Sequence, residues 1–297
     1  MSKSPTCSKV NICFATDSNY APYLKVALYS LLQNRNTDYT YNILILHTEL
    51  SHQCMEDIRS VALHEVLVNI NFIDVSNVAD KINGKTNSYI SQATNYRLLL
   101  FSDMFSSYDR IIYLDCDIIV ECDISALFFE DMKDYPIAAV EETDFRQLSY
   151  CKKAVFLNKR QPYNIDNYRT EALKMQHPES YFNAGVMLLD LKKCRNDFTF
   201  NKIPDILEKA TYQYNDQDVL NILFDGQVML TDYTWNYHNN VEYFSKLDPA
   251  VYGSLYTDVL RANPGIIHYV SSYKPWNTEV PLGEHYHKYA KNCNSTV

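Results

Sequence analysis

From Val10 to Leu114 the chain alternates short apolar runs with longer stretches whose apolar residues recur at helical spacing, and few folds accept that rhythm. "VNICFAT" (Val10 to Thr16) reads as a buried strand, and "YAPYLKVALYSLLQN" after it as a helix, with Pro22 tolerated in the first turn. "YNILILHTEL" resumes as a strand, Ser51 to His64 as a helix, "VNINFIDV" as a third strand and Ser91 to Phe105 as another helix. "RIIYLDCD" is then the fourth strand, and its apolar start calls for burial on both faces, the position of a central strand. Such alternation predicts an α/β fold with a mostly parallel central sheet and helices on both faces.

Two acids, Asp115 and Asp117, close that fourth apolar run, where a buried strand has no use for charge. Ligands of open α/β sheets sit beyond the carboxyl ends of the strands, which is where these acids fall. Residues i and i+2 of a strand share a face with Cα atoms about 7 Å apart, so two carboxylates there can converge on one divalent cation. A hard cation held by one or two carboxylates, with positions left open, grips a pyrophosphate. The plainer reading, acids capping a turn or facing water, fits D-x-D by itself equally well. A haloacid-dehalogenase-like phosphatase also uses D-x-D at a strand end, but on its first strand and with Thr or Val where this chain has Ile119. Near the other end, "HYVSSYKPW" places His268 at a strand end and Lys274 six residues on, with Pro275 holding Lys274 extended. An imidazole can complete a cation's ligands, while a charged Lys meets phosphate oxygens instead; a satisfied core histidine is the alternative for His268.

The remaining chain is read more coarsely. Beyond the strand-like "YPIAAVEE" lies a polar span, Phe145 to Ser180, expected to be an active-site flap or acceptor-side excursion. Periodicity returns with "YFNAGVMLLDL", "FNKIPDILEKA", "NDQDVLNILF", "VMLT" and "GIIHYV". Lys and Arg number 27 against 36 Asp and Glu, a net charge of −9, which argues against nucleic acid as a partner through a basic face. "MSKSPTCSKVNICFAT" has no signal-peptide apolar core, no run of about 18 apolar residues occurs, and the 8 cysteines form no C-x-x-C pair. A cytoplasmic protein in a reducing compartment is expected, and no sequence feature speaks to its oligomeric state. The 25 tyrosines are scattered rather than clustered, as ordinary half-buried residues are.

Six segments, "ATDSNYA", "NYRLLL", "YLDCDIIV", "YFNAGVMLLDL", "NDQDVLN" and "HYVSSYKPW", occur in the order found in glycosyltransferase family 8. Over about residues 10 to 277 the chain resembles that family's bacterial lipopolysaccharide galactosyl- and glucosyltransferase branch and, more distantly, glycogenin. The resemblance implies a single domain, residues 1–297, of the GT-A type nucleotide-sugar-binding fold. Its nucleotide-binding half spans about 10–120, its donor-sugar and acceptor half about 121–277, and a C-terminal tail 278–297. The implied activity is retaining transfer of a hexose from UDP-glucose or UDP-galactose to a glycan or glycoconjugate acceptor. Mn2+, or Mg2+ in its place, is the implied cofactor, with Asp115, Asp117 and His268 as its ligands.

The same resemblance assigns donor contacts to Ala15, Asp17, Asn19, Arg97, Cys116, Asn183, Asp216, Gln217, Ser271 and Lys274 as well as the three metal ligands. Asp17 would accept from a uracil ring N–H, although a role for Asp17 as N-cap of the helix that begins near Tyr20 is as compatible with its position. Arg97 is directed at the donor sugar or its phosphates, and Asp216 at sugar hydroxyls. Gln217, with Asp216 the implied catalytic pair, sits where a double-displacement glycosidase would place a carboxylate, and a neutral amide is a poor nucleophile. A front-face transfer follows, with Gln217 stabilising positive character at the anomeric carbon and Asn183 orienting sugar or acceptor. Ser271 replaces a glycine common in the family, which favours the rival reading of a nucleotide-sugar-binding module without turnover. The closing "GEHYHKYAKNCNSTV" is expected to be a solvated tail rather than a basic amphipathic membrane helix, leaving peripheral contact with the inner membrane face open; His285 and His287 are an H-x-H within it.

Overall fold

The computed structural model describes residues 8–82, 91–143, 145, 154–157, 161–164, 167–197, 200–209, 213–241, 259 and 261–294. The predicted strands form β1 (Lys9–Ala15), β2 (Thr40–His47), β3 (Val68–Asp74) and β4 (Arg110–Leu114), followed by β5 (Ile118–Val120) and β6 (Ile137–Glu141). Later in the chain come β7 (Ala154–Leu157), β8 (Gln161–Asn164), β9 (Phe182–Asp190), β10 (Val228–Leu230), β11 (Tyr237–His238) and β12 (Ile266–His268). Seven of them make one sheet in the order β10-β6-β9-β4-β1-β2-β3, so β4, the strand that leads into the two acids, is central, as its two-sided apolar pattern requires. Within this sheet every pairing is parallel except those of β9, which runs antiparallel to both β4 and β6.

Strand alternation divides the core between the two faces of the sheet. Ile111 and Tyr113 of β4 join the cluster that includes Leu98, Leu99, Met187 and Val219. Ile112 and Leu114 join the opposite cluster, with Leu24, Leu28 and Leu31 of the first helix, Ala21–Asn34. Burying each such side chain contributes about 1.5–3 kcal/mol, so β4 is anchored from both sides.

Two local outcomes differ from expectation. The stretch after Ser91 is a 3-10 helix, Gln92–Phe101, rather than an α-helix. Asn95 to Phe101 are buried all round, so tertiary contacts, not an amphipathic stripe, set its pitch. The segment closing the chain is no solvated tail: Gly283–Asn294 is a helix. It buries Tyr286 and Tyr289 with Val26 of the first helix, Ile119 and Ile267. His285 Nδ1 lies 2.7 Å from Glu121 Oε1, an ion pair or hydrogen bond that ties this helix to the residue after β5. Of the Phe145 to Ser180 span, residues 146–153, 158–160, 165 and 166 lie outside the described residues; what is described includes the β7–β8 antiparallel pair and a π-helical turn, Tyr168–Ala172.

Candidate active site

A second, three-stranded sheet of order β11-β12-β5 assembles the site. β12 runs antiparallel to β5, with His268 opposite Ile118, and the Tyr269 N–H donates to the Asp117 carbonyl at 3.0 Å. That register sets an imidazole from far along the chain beside the D-x-D. Asp115 and Asp117 themselves lie in the connection between β4 and β5, not within a strand, so their convergence does not come from strand alternation. It comes from pinning at both ends: the Asp115 N–H donates to Gly185 O at 2.8 Å, and Asp117 O is held by Tyr269. One ligand atom each from Asp115, Asp117 and His268 lies within 4.8 Å of the others, and this is the one such group among the described residues.

The donor set fits a divalent cation. His268 Nε2 is 3.3 Å from Asp117 Oδ1 and 3.9 Å from Asp115 Oδ2, while Nδ1 lies 2.9 Å from Asn236 Oδ1. If Nδ1 carries the proton, Nε2 faces the two carboxylates as a lone pair, the form in which imidazole binds metal. Lys274 Nζ sits 2.6 Å from Asp117 Oδ2 and also donates to Tyr269 O. Burial by itself would raise the Asp117 pKa, but the Lys274 ammonium and, when its ring is protonated, the His268 imidazolium outweigh it and hold the carboxyl well below the ordinary range. Burial dominates at Asp115 and raises its pKa, against the opposing pull of Arg97.

Arg97, the one charged residue of its 3-10 helix, is 3 % exposed and joins the two implied functional regions. Its Nη2 lies 2.6 Å from Asp115 Oδ1, its Nε 2.9 Å from Asp216 Oδ2, and its Nη1 donates to Ala184 O at 2.6 Å. The guanidinium is also 4.5 Å from the Tyr113 ring centroid. Burial would favour discharge, yet Asp115 and Asp216 raise the Arg97 pKa and keep it charged. Asp216 is pushed up to about 6 by burial, against Arg97. Its neighbour Asp218 is likewise raised to about 6 by burial, though Tyr168 Oη and Tyr181 Oη each donate to it at 2.6 Å.

The opening of β9, Asn183-Ala184-Gly185, is the hub. The Ala184 N–H donates to Gln217 Oε1 at 3.0 Å, and the Gly185 N–H to Asn183 Oδ1 at 2.9 Å. A Cβ on Gly185 would lie 2.2 Å from His268 Cε1 and 2.8 Å from Asp115 Oδ2, so only glycine fits there. Gln217 Nε2 donates to Glu142 Oε2 at 3.0 Å, and Asn183 Nδ2 donates to the same oxygen at 2.7 Å. Gln217 and Asp216 open the helix Asn215–Leu223, which brings both to the hub.

The nucleotide-side candidates lie around the end of β1. Asp17 Oδ1 accepts from the N–H groups of Asn19 and Tyr20, both at 2.9 Å, and its other oxygen accepts from Ser91 Oγ. The carboxylate therefore organises the approach to the first helix, as a cap would. Cys116 Sγ donates to Ala15 O at 3.2 Å, coupling the end of β1 to the D-x-D. Asn19 is exposed. A cleft of about 560 Å³ opens beside Asp17, lined also by Thr48, Glu49, Asp80, Ser91 and Tyr96. Ser271 folds its own loop: Oγ accepts from the Tyr273 N–H and donates to Tyr273 O, both at 3.1 Å. Its φ is not positive, so the missing family glycine leaves no backbone strain at that position.

Glu142 and Asn236 were not singled out from the sequence, although both are buried at the site. Glu142 ends an apolar strand much as Asp115 does, "IAAVEE", which is a usable signal; Asn236 carries none.

This fold, a mostly parallel sheet with an acid pair beyond the end of its central strand, defines the GT-A class of glycosyltransferases. A family model described as glycosyl transferase family 8 matches residues 11–279, and the chain belongs to that family. It is 25 % identical over 289 residues to general stress protein A of Bacillus subtilis, covering 94 % of this chain and 92 % of the relative. It is 26 % identical over 282 residues to lipopolysaccharide 1,2-glucosyltransferase of Escherichia coli K12, covering 92 % and 74 %. Among solved structures, galactosyltransferase LgtC in complex with donor and acceptor sugar analogues aligns at 25 % identity with a TM-score of 0.71, covering 96 % of both chains. The bifunctional glycosyltransferase WbbM aligns with a TM-score of 0.84 at 23 % identity, and there this chain spans 51 % of the longer protein.

Proposed function

We propose that this glycosyltransferase moves a hexose, glucose or galactose, from a UDP-sugar to a glycan or glycoconjugate acceptor with retention of configuration. In this reading Asp115, Asp117 and His268 hold Mn2+ or Mg2+. The observation that carries it is the meeting of two carboxylates and one imidazole within 4.8 Å of one another, from segments far apart in the chain. A divalent cation there supplies charge neutralisation on the departing diphosphate. The relatives named as a lipopolysaccharide glucosyltransferase and a galactosyltransferase support a hexose donor.

The chain's own residues do the rest. Lys274 exchanges Asp117 for phosphate oxygens when the donor binds. Arg97 holds Asp115 and Asp216 at fixed positions, so that Asp216 can accept from sugar hydroxyls. Gln217, held at both ends by Ala184 and Glu142, stabilises positive character at the anomeric carbon but offers no nucleophile. The anomeric carbon–phosphate oxygen bond breaks as the bond to the acceptor oxygen forms on the same face. The acceptor proton passes to the leaving phosphate. On the nucleotide side Ala15, Asp17, Asn19 and Cys116 border the base, with Asp17 freeing an acceptor for a uracil ring N–H.

Release of UDP from UDP-glucose and UDP-galactose with Mn2+, across an acceptor panel, tests the reading. Asp117→Ala, verified as folded, is expected to lose turnover and metal dependence together; full transfer by that variant in chelator refutes the metal assignment. UDP-sugar binding without release across the panel would favour a binding module instead.

A further inference from the structure

Behind the three candidate metal ligands runs a buried relay of amides. His268 Nδ1 lies 2.9 Å from Asn236 Oδ1, Asn236 Nδ2 donates to Asn183 Oδ1 at 2.9 Å, and Asn183 Nδ2 donates to Glu142 Oε2 at 2.7 Å. Every member is at least nine-tenths buried: His268 and Glu142 are 4 % exposed, Asn183 6 % and Asn236 1 %. An amide has distinct donor and acceptor ends, so the relay has a direction once one end is fixed. Two features fix it. The Gly185 N–H, which can only donate, meets Asn183 Oδ1 at 2.9 Å. A carboxylate, which when ionised can only accept, receives the amino end of Asn183. Asn183 therefore presents oxygen to Asn236, Asn236 must turn its amino group toward that oxygen, and its own carbonyl is left facing His268.

The direction matters because His268 has a competing choice. Asp117 Oδ1 stands 3.3 Å from Nε2, and a carboxylate that close draws the imidazole proton to itself. A proton on Nε2 occupies the lone pair that a cation needs. We infer that Asn236 is a positioning residue that sets the tautomer of His268: its carbonyl, aimed by Asn183 and Glu142, keeps the proton on Nδ1 and leaves Nε2 open toward Asp115 and Asp117. The inference deepens the metal reading above and rests on it for its purpose, though the tautomer itself is a property of the metal-free protein. Glu142 Oε2 also receives Gln217 Nε2, so one carboxylate orients both the relay to His268 and the amide at the reacting face.

The test compares Asn236→Leu, which removes the acceptor, with Asn236→Asp, which keeps an acceptor toward Nδ1 but severs the donor to Asn183. Imidazole nitrogen NMR of the metal-free protein at about pH 8.5 reads the tautomer. His268→Gln assigns the signal. Calorimetric titration with Mn2+ alone reads the site's affinity. Wild type is expected to carry the proton on Nδ1. Asn236→Leu is expected to shift it to Nε2 and to weaken Mn2+ binding about 10–100-fold, while Asn236→Asp retains Nδ1–H and stays within about threefold of wild type. Equal loss in both variants points to packing and overturns the proposal, as does an Asn236→Leu protein with unchanged tautomer and affinity. Should the Leu variant fail to fold, an Nε2–H tautomer in wild type is sufficient to overturn it. A wild type that binds no Mn2+ refutes the metal reading while leaving the tautomer to decide the relay.

Discussion

Gly185→Ala is the sharpest perturbation that the site allows, because one methyl group reaches two candidate ligands at once. The added Cβ would stand 2.2 Å from His268 Cε1, 2.9 Å from His268 Nδ1 and 2.8 Å from Asp115 Oδ2. Carbon atoms in ordinary contact are about 3.5–4.0 Å apart, so the ring must retreat by about 1.3 Å or more, or β9 must shift. β9 is paired on both sides, with β4 and β6, and buried along nearly its whole length, so the ring gives way first. Gly185 does not have a positive φ, so the effect is steric rather than conformational. Overpacking of this kind costs about 1–3 kcal/mol, and for a chain of this size each kcal/mol moves Tm by about 2 °C, so Tm should fall by about 2–6 °C. The larger effect is on the ligand set, since a displacement of about 1 Å costs on the order of 100-fold in a positioned site. Thermal unfolding with and without Mn2+ separates the two. At about 100 times the dissociation constant, a bound cation stabilises wild type by about 2.7 kcal/mol, and the variant should lose most of that increment. A Gly185→Ala protein that keeps the wild-type Mn2+-dependent gain in Tm refutes the proposed ligand geometry.

Removing the Arg97 guanidinium by Arg97→Ala leaves Asp115 and Asp216 facing each other without compensation, and about 3–5 kcal/mol of stability should be lost at pH 8. The loss should shrink near pH 5, where Asp216, already raised to about 6, takes up a proton; an equal loss in urea at both pH values contradicts the account. For Asp218 the folded pKa of about 6 lies above the ordinary aspartate value of 3.8, so the folded state binds the extra proton. The associated stability is complete below about pH 3.8 and is lost as pH rises through about 6. Asp218→Asn lacks that dependence, so its stability relative to wild type should improve by about 2.4 kcal/mol between pH 4 and pH 7.5. A difference that stays flat across that interval would remove burial as the cause.

How far the sequence alone reaches is clearest at the D-x-D. Asp115 and Asp117 stand out there because acids ending a doubly buried apolar run demand an explanation, and that demand is local. The central place of β4 follows from the same kind of local pattern. The pitch of Gln92–Phe101 was not legible, because a segment buried on every side has no periodic stripe to read. The helix Gly283–Asn294 was missed for a related reason: Tyr286, Tyr289 and Cys293 are its buried contacts, and amid Glu, His, Lys and Asn they make a weak apolar pattern. Asn236 was invisible because a buried amide announces its role only through its partners, which lie 53 and 32 residues away in Asn183 and His268.

By itself the chain's order of residues determined the alternation of strands and helices, the central place of the strand that leads into the two acids, and the family motifs in sequence. These rest on periodicity and local burial, which neighbours in the chain report to one another. Only the tertiary structure decided that the acids sit in a connection between strands, that the register of β12 on β5 delivers His268 to them, and that Lys274 and Arg97 neutralise their charge. Those facts depend on contacts between residues distant in the chain, and the electrostatic energy of a site is set by distances in space, which no linear spacing contains.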